Sequence, residues 1–105
     1  ANEKLYREVL TPEQQTYLQE KAGTMLEEKL TKLIATPQYK KMDDDERTRT
    51  IQNFTDKSRT LARAEMVEEL VGELKGEERK AKLSELKAQG FLTKNVFAEW
   101  QKLFQ

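Results

Sequence analysis

The chain has 105 residues, enough for one domain that buries roughly two thirds of its unfolded surface. Its 19 basic residues equal its 19 acidic ones, so no strong field draws the whole chain to nucleic acid or anionic lipid. It contains neither cysteine nor histidine, which removes disulfides, thiolate nucleophiles, sulfur-ligated metal, the commonest general base and the usual near-neutral pH switch.

In chain order, Leu5, Tyr6, Val9 and Leu10 stand at one-face helical spacing and predict two turns of helix over residues 3–10. Thr11-Pro12-Glu13-Gln14 then reads as a helix start. Gln14 stands three residues after the capping hydroxyl and can return its side chain to the cap's own amide. From Pro12 to Ala35 the set Leu18, Ala22, Met25, Leu26, Leu30, Leu33 and Ile34 steps by three and four, the stripe of an amphipathic helix. Gly23 costs that helix about 1 kcal/mol relative to alanine, which marks a close helix approach. Pro37 ends the element, because the residue before a proline is pushed out of helical geometry.

Met42-Asp43-Asp44-Asp45-Glu46 is the second start signal, with four acids on the positive end of a helix and Asp45 four residues before Arg49. That helix is expected over 44–75, closed by Gly76, with Ile51, Phe54, Leu61, Ala62, Met66, Leu70 and Leu74 as its stripe and Ser58 filling the gap. At 1.5 Å per residue it would span about 45 Å, longer than a domain of this size needs. Either it bends at Gly72, or its far end projects and packs on other protein. A third helix fits 77–89, anchored by Leu83 and Leu86 with Glu78 paired toward Lys82. Gly90 supplies the left-handed residue that closes it, and Phe91 folds back on Leu86. The fourth covers 94–104, capped by Thr93 and stapled by Leu92 and Phe97. The expected architecture is all-α: a long antiparallel hairpin of 12–35 and 44–75, joined by Pro37–Met42, plus two shorter C-terminal helices. Tyr39 and Met42 plug the open end of that hairpin.

No constellation carries catalysis or a cofactor. Asp43-Asp44-Asp45-Glu46 lacks a glycine at the sixth position of a calcium loop, and Phe54 sits where the bidentate glutamate belongs, so it reads as a charged helix start. Glu27, Glu28, Glu65, Glu68 and Glu69 fall on helix surfaces in a lysine-rich context, with no sign of a cleft to shift their pKa values. Glycines 23, 72, 76 and 90 are too scattered for a phosphate loop. Arg47, Arg49, Lys57, Arg59 and Arg63 could form a basic strip along the second helix, joined by Lys75, Arg79, Lys80, Lys82 and Lys87 near the third, which would bind a nucleic-acid backbone without reading sequence. Interleaved acids, among them Asp56, Glu65, Glu68, Glu69, Glu73 and Glu85, weaken it. The last helix is the most apolar. Val96, Phe97, Trp100, Leu103 and Phe104 are the expected protein interface, with Trp100 readable as core anchor or as interface anchor. No run of about 18 apolar residues exists for a membrane span. The opening Ala1-Asn2-Glu3 without methionine suggests a fragment of a longer polypeptide.

The run Leu10-Thr11-Pro12-Glu13-Gln14, Tyr17, Ala22-Gly23, Leu30, Leu33-Ile34, Pro37-Gln38-Tyr39, Asp43-Asp44-Asp45-Glu46, Ile51 and Ala62-Arg63 resembles a helical segment of large multidomain phage and prophage proteins, including internal virion or ejection proteins. The likeness covers residues 10–64 and, more weakly, Leu86 and Gly90-Phe91-Leu92-Thr93. It rests on helix punctuation. It implies a structural or docking role in a virion, with the chain itself or other virion components as partners and any enzymatic domain elsewhere in the parent protein. A small host-directed phage inhibitor, acting in the cytoplasm, and a helical nucleic-acid-associated protein are the alternatives.

Overall fold

The computed structural model describes residues 10–105, and the helix expected over 3–10 lies outside them except for Leu10. The described chain is all-α: α1 (Pro12–Ile34), α2 (Pro37–Lys41), α3 (Asp44–Val71), α4 (Gly76–Ala88) and α5 (Lys94–Phe104).

Local chemistry sets most of the helix ends. Thr11 Oγ1 accepts from the Gln14 amide at 3.1 Å, and Gln14 Oε1 accepts from the Thr11 amide at 2.9 Å, so the capping box is closed both ways. Thr36 caps α2 through the Tyr39 amide, Asp43 caps α3 through the Glu46 amide at 2.8 Å, and Thr93 caps α5 through the Val96 amide. At the end of α4, Gly90 takes φ +79°. Its amide reaches the Lys87 carbonyl at 3.1 Å while the Phe91 amide reaches Leu86 at 3.0 Å. These two bonds make a Schellman turn, with Phe91 and Leu86 both fully buried beside each other in the core.

α1 and α3 pack against each other through the α2 connection as the expected hairpin. Lys21 Nζ lies 3.1 Å from Glu65 Oε2 across it. Stepping forward along α1 and back along α3 from that pair brings Glu28 level with Ser58. Ser58 is also the first buried residue along α3. Beyond that level the hairpin, closed by α2, is an arm without a single fully buried side chain. The core lies at the other end. There Ala64, Met66, Val67 and Val71 of α3 meet Leu10, Leu86, Phe91, Leu92, Val96 and Trp100. α3 is thus the central element, with α1 on one side and α5 and α4 packed on the rest. The result is elongated, 52 × 30 × 20 Å with a radius of gyration of 15.9 Å, against about 13 Å for a compact domain of this length.

Three expectations are corrected. α3 stops at Val71 rather than residue 75, because the chain turns at Gly72 and the Leu74 amide bonds the Val71 carbonyl. Its far end is buried in the core rather than projecting; the projecting part is its beginning. Gly23 marks no close approach within the chain, since a Cβ there would meet nothing within 4 Å.

Candidate interaction surface

The terminal helix was expected to offer an interface through all five of its large apolar residues, and the fold divides that set. The Schellman turn and the Thr93 cap lead the chain back onto α3. Val96 and Trp100 each end only 1% exposed. They are core residues, which removes them from any accessible interface. Phe97 is half-buried against the core, its ring 5.8 Å from that of Trp100 and tilted by 52°, with Lys87 Nζ 5.2 Å from its centroid on the outside. Leu103 and Phe104 remain accessible, 50% and 43% exposed.

Trp100 is held by groups that spacing along the chain did not connect to it. Its indole Nε1–H donates to Glu68 Oε1 at 2.9 Å, a bond to an ionisable acceptor that satisfies the one polar atom of a buried ring. The Arg79 guanidinium lies 5.4 Å from the ring centroid, in range of a cation–π contact, and also donates to the Val71 carbonyl. Gly72 makes room for this cluster. A Cβ there would stand 2.6 Å from both the backbone oxygen and the Oε2 of Glu68. The buried side of α3 made by Ala64, Val67 and Val71 was also missed. Their spacing of three and four is the signal that could have found it, as a second apolar stripe beginning after Leu61.

At about 100° per residue, Arg49, Arg59 and Arg63 of the expected basic strip fall within about 80° of one another around α3, Lys57 lies at the edge of that side and Arg47 points away from it. Two of the five are used internally. Arg47 donates to the carbonyls of Tyr39 at 3.3 Å and Lys40 at 3.2 Å and stacks 4.9 Å from the Tyr39 ring, which locks α2 onto α3. Met42 joins the same closure, its sulfur accepting from Thr50 Oγ1 at 3.7 Å. Arg63 sits half-buried over the Phe91 ring at 5.9 Å. Only Arg49, Lys57 and Arg59 of the set are exposed.

Of the carboxylates considered, Glu65 pairs with Lys21 and Glu68 with Trp100, while Glu27, Glu28 and Glu69 are exposed. Lys21 is pulled down by desolvation, but the Tyr17 hydroxyl and the Glu65 carboxylate outweigh this and raise its pKa. Among the described residues no three acidic side chains converge to hold a metal ion, and no helix is long and apolar enough to cross a membrane.

What remains is the arm and the stretch of α1 that leads to it. Leu18, Met25 and Leu26 before the arm, and Leu30 and Leu33 within it, are turned partly toward α3, yet none is fully buried, and Ile34 at its end is 51% exposed. Opposite them Ile51 and Phe54 are likewise only half covered. Comparison with protein-family models, curated proteins and solved structures finds no match to this chain.

Proposed function

We propose that the chain is a non-catalytic docking module. The base around Trp100 is the folded platform, and the arm is the part offered to another protein, in a phage-encoded virion assembly of the internal or ejection type that the sequence resembles. The supporting observation is α1, a 23-residue amphipathic helix with no buried residue. Fully covering a leucine, isoleucine or methionine stabilises by about 1.5–3 kcal/mol, so Ile34, 51% exposed, retains on the order of 1 kcal/mol for a partner, and the better covered leucines of the arm less. Leu103 and Phe104 form a second, smaller apolar patch at the end of α5.

The test is a photo-activatable cross-linking residue in place of Ile34, with Glu77 on the exposed side of α4 as the comparison, in cells in which the chain is naturally made. Protein adducts of defined mass from position 34 and not from 77, recovered in purified particles, are the expected result. The absence of any adduct from position 34 overturns the docking reading. An adduct to one host protein, found only outside particles, overturns the virion role in favour of an inhibitor.

A further inference from the structure

We propose that the arm opens as one unit while the base stays folded, with Arg47 as the latch at its tip and Ser58 marking the boundary. The inference goes beyond the docking reading and concerns the chain alone. Every fully buried side chain of the described chain lies at Ser58 or on the base side of it, and residues 29–57 contain none. Packing is what holds most protein helices, since isolated ones shorter than about 12–15 residues are marginal in water. The arm segments of α1 and α3, 29–34 and 44–57, fall within that limit.

Their own sequence does not make up the difference. Thr31, Thr48, Thr50 and Thr55 each turn the hydroxyl back onto the carbonyl four residues earlier, at 2.8–2.9 Å, a bond that slightly weakens and bends a helix. Thr60 does the same just past the boundary at 3.0 Å. From 61 to 71, α3 has no threonine and is built largely from leucine, alanine, methionine and glutamate, the stronger helix formers. The helix thus changes character where its burial begins. At that level the Ser58 hydroxyl is buried with no partner among the described residues, and opening of the arm returns it to water, which favours a break there. The arm is closed at the other end by Arg47, which donates to the Tyr39 and Lys40 carbonyls and stacks on the Tyr39 ring. Segments with few buried apolar contacts open at lower free energy than the core, in contiguous cooperative units. An open arm frees Leu30, Leu33, Ile51 and Phe54 on its inner sides while the platform around Trp100 stays folded.

Native-state hydrogen exchange of the whole chain, read residue by residue in increasing sub-denaturing urea, tests this. The amides of Ile51, Phe54 and Thr55 should be at least about a hundredfold less protected than those of Ala64 and Val67, and should share one urea slope, shallower than that of the base. Val96→Ala, which trims the base core, should speed exchange at Ala64 and Val67 about tenfold. It should leave the arm amides unchanged, because the native and open-arm states lose the same contact. Arg47→Met should speed both sets by the same factor, about tenfold, because only the closed arm holds the latch. Equal protection and equal urea slopes in arm and base, or a Val96→Ala effect that reaches the arm amides, would show one cooperative unit and overturn the inference. Arm exchange unchanged in Arg47→Met overturns the latch. None of these readings depends on a partner, so the docking reading stands or falls separately on cross-linking at position 34.

Discussion

Gly23 and Gly72 both lie in right-handed helical backbone, yet alanine should act on them with opposite signs. At Gly72 the new methyl would lie 2.6 Å from the Glu68 carbonyl oxygen, which itself accepts the Gly72 amide at 2.7 Å, and 2.6 Å from Glu68 Oε2. To relieve the contact the carboxylate must swing away from the buried Trp100 N–H, to which it is bonded at 2.9 Å. An indole N–H left unpaired in the core costs about 1–3 kcal/mol, and the backbone adjustment adds about 1 kcal/mol or more. The better helix propensity of alanine returns at most about 1 kcal/mol. The net is a loss of about 2 kcal/mol, and at about 4–8 °C per kcal/mol the Tm should fall by about 8–16 °C. At Gly23 nothing is displaced, so alanine should stabilise by up to about 1 kcal/mol and raise the Tm by several degrees. Thermal unfolding in dilute solution, followed by far-ultraviolet circular dichroism and by fluorescence of the single tryptophan, reads both. In a Glu68→Ala background the Gly72→Ala penalty should shrink by about 1 kcal/mol or more, since the bond at stake is already gone. A Gly72→Ala variant as stable as the parent would refute the role given to Glu68 and Trp100.

Ser58 Oγ is buried without a hydrogen-bond partner among the described residues, so Ser58→Ala should raise the free energy of unfolding by about 1 kcal/mol in urea titration. Gly90 holds φ +79° at the Schellman turn, and Gly90→Ala should destabilise by about 1–2 kcal/mol through left-handed strain, with the same m-value. Because the folded-state pKa of Lys21 is raised, its contribution is complete below the unfolded lysine value of about 10.4 and is lost as pH rises through the higher folded one. Comparing Lys21→Met with the parent from neutral to strongly alkaline pH should show the stability gap closing only in the alkaline window. Leu103→Ala with Phe104→Ala should leave Tm nearly unchanged, since both side chains are exposed, whereas Trp100→Ala should cost about 3–5 kcal/mol.

The helical class, the positions of four main helices and most of their ends were legible in the sequence because they depend on contacts three to five residues apart. The Thr11–Gln14 box, the Asp43 and Thr93 caps and the Gly90 turn all close within one helical turn of the residue that signals them. The hairpin was legible as well, from two apolar stripes and a short connection. What lay between elements was not. Local pattern shows Gly23 and Gly72 as the same kind of helix glycine; only the placement of Glu68 and Trp100, 32 residues apart, makes one indispensable and leaves the other open. An apolar stripe announces that it will be covered but carries no record of what covers it. Val96 and Trp100 could therefore be read as interface until the fold laid them on α3, while the half-covered flank of α1 could be read as core until the hairpin left it at the surface. Which side of α3 receives α5 is decided by how the connection through Gly90 aims the last helix, a direction summed over several dihedral angles, and this belongs to the tertiary structure alone.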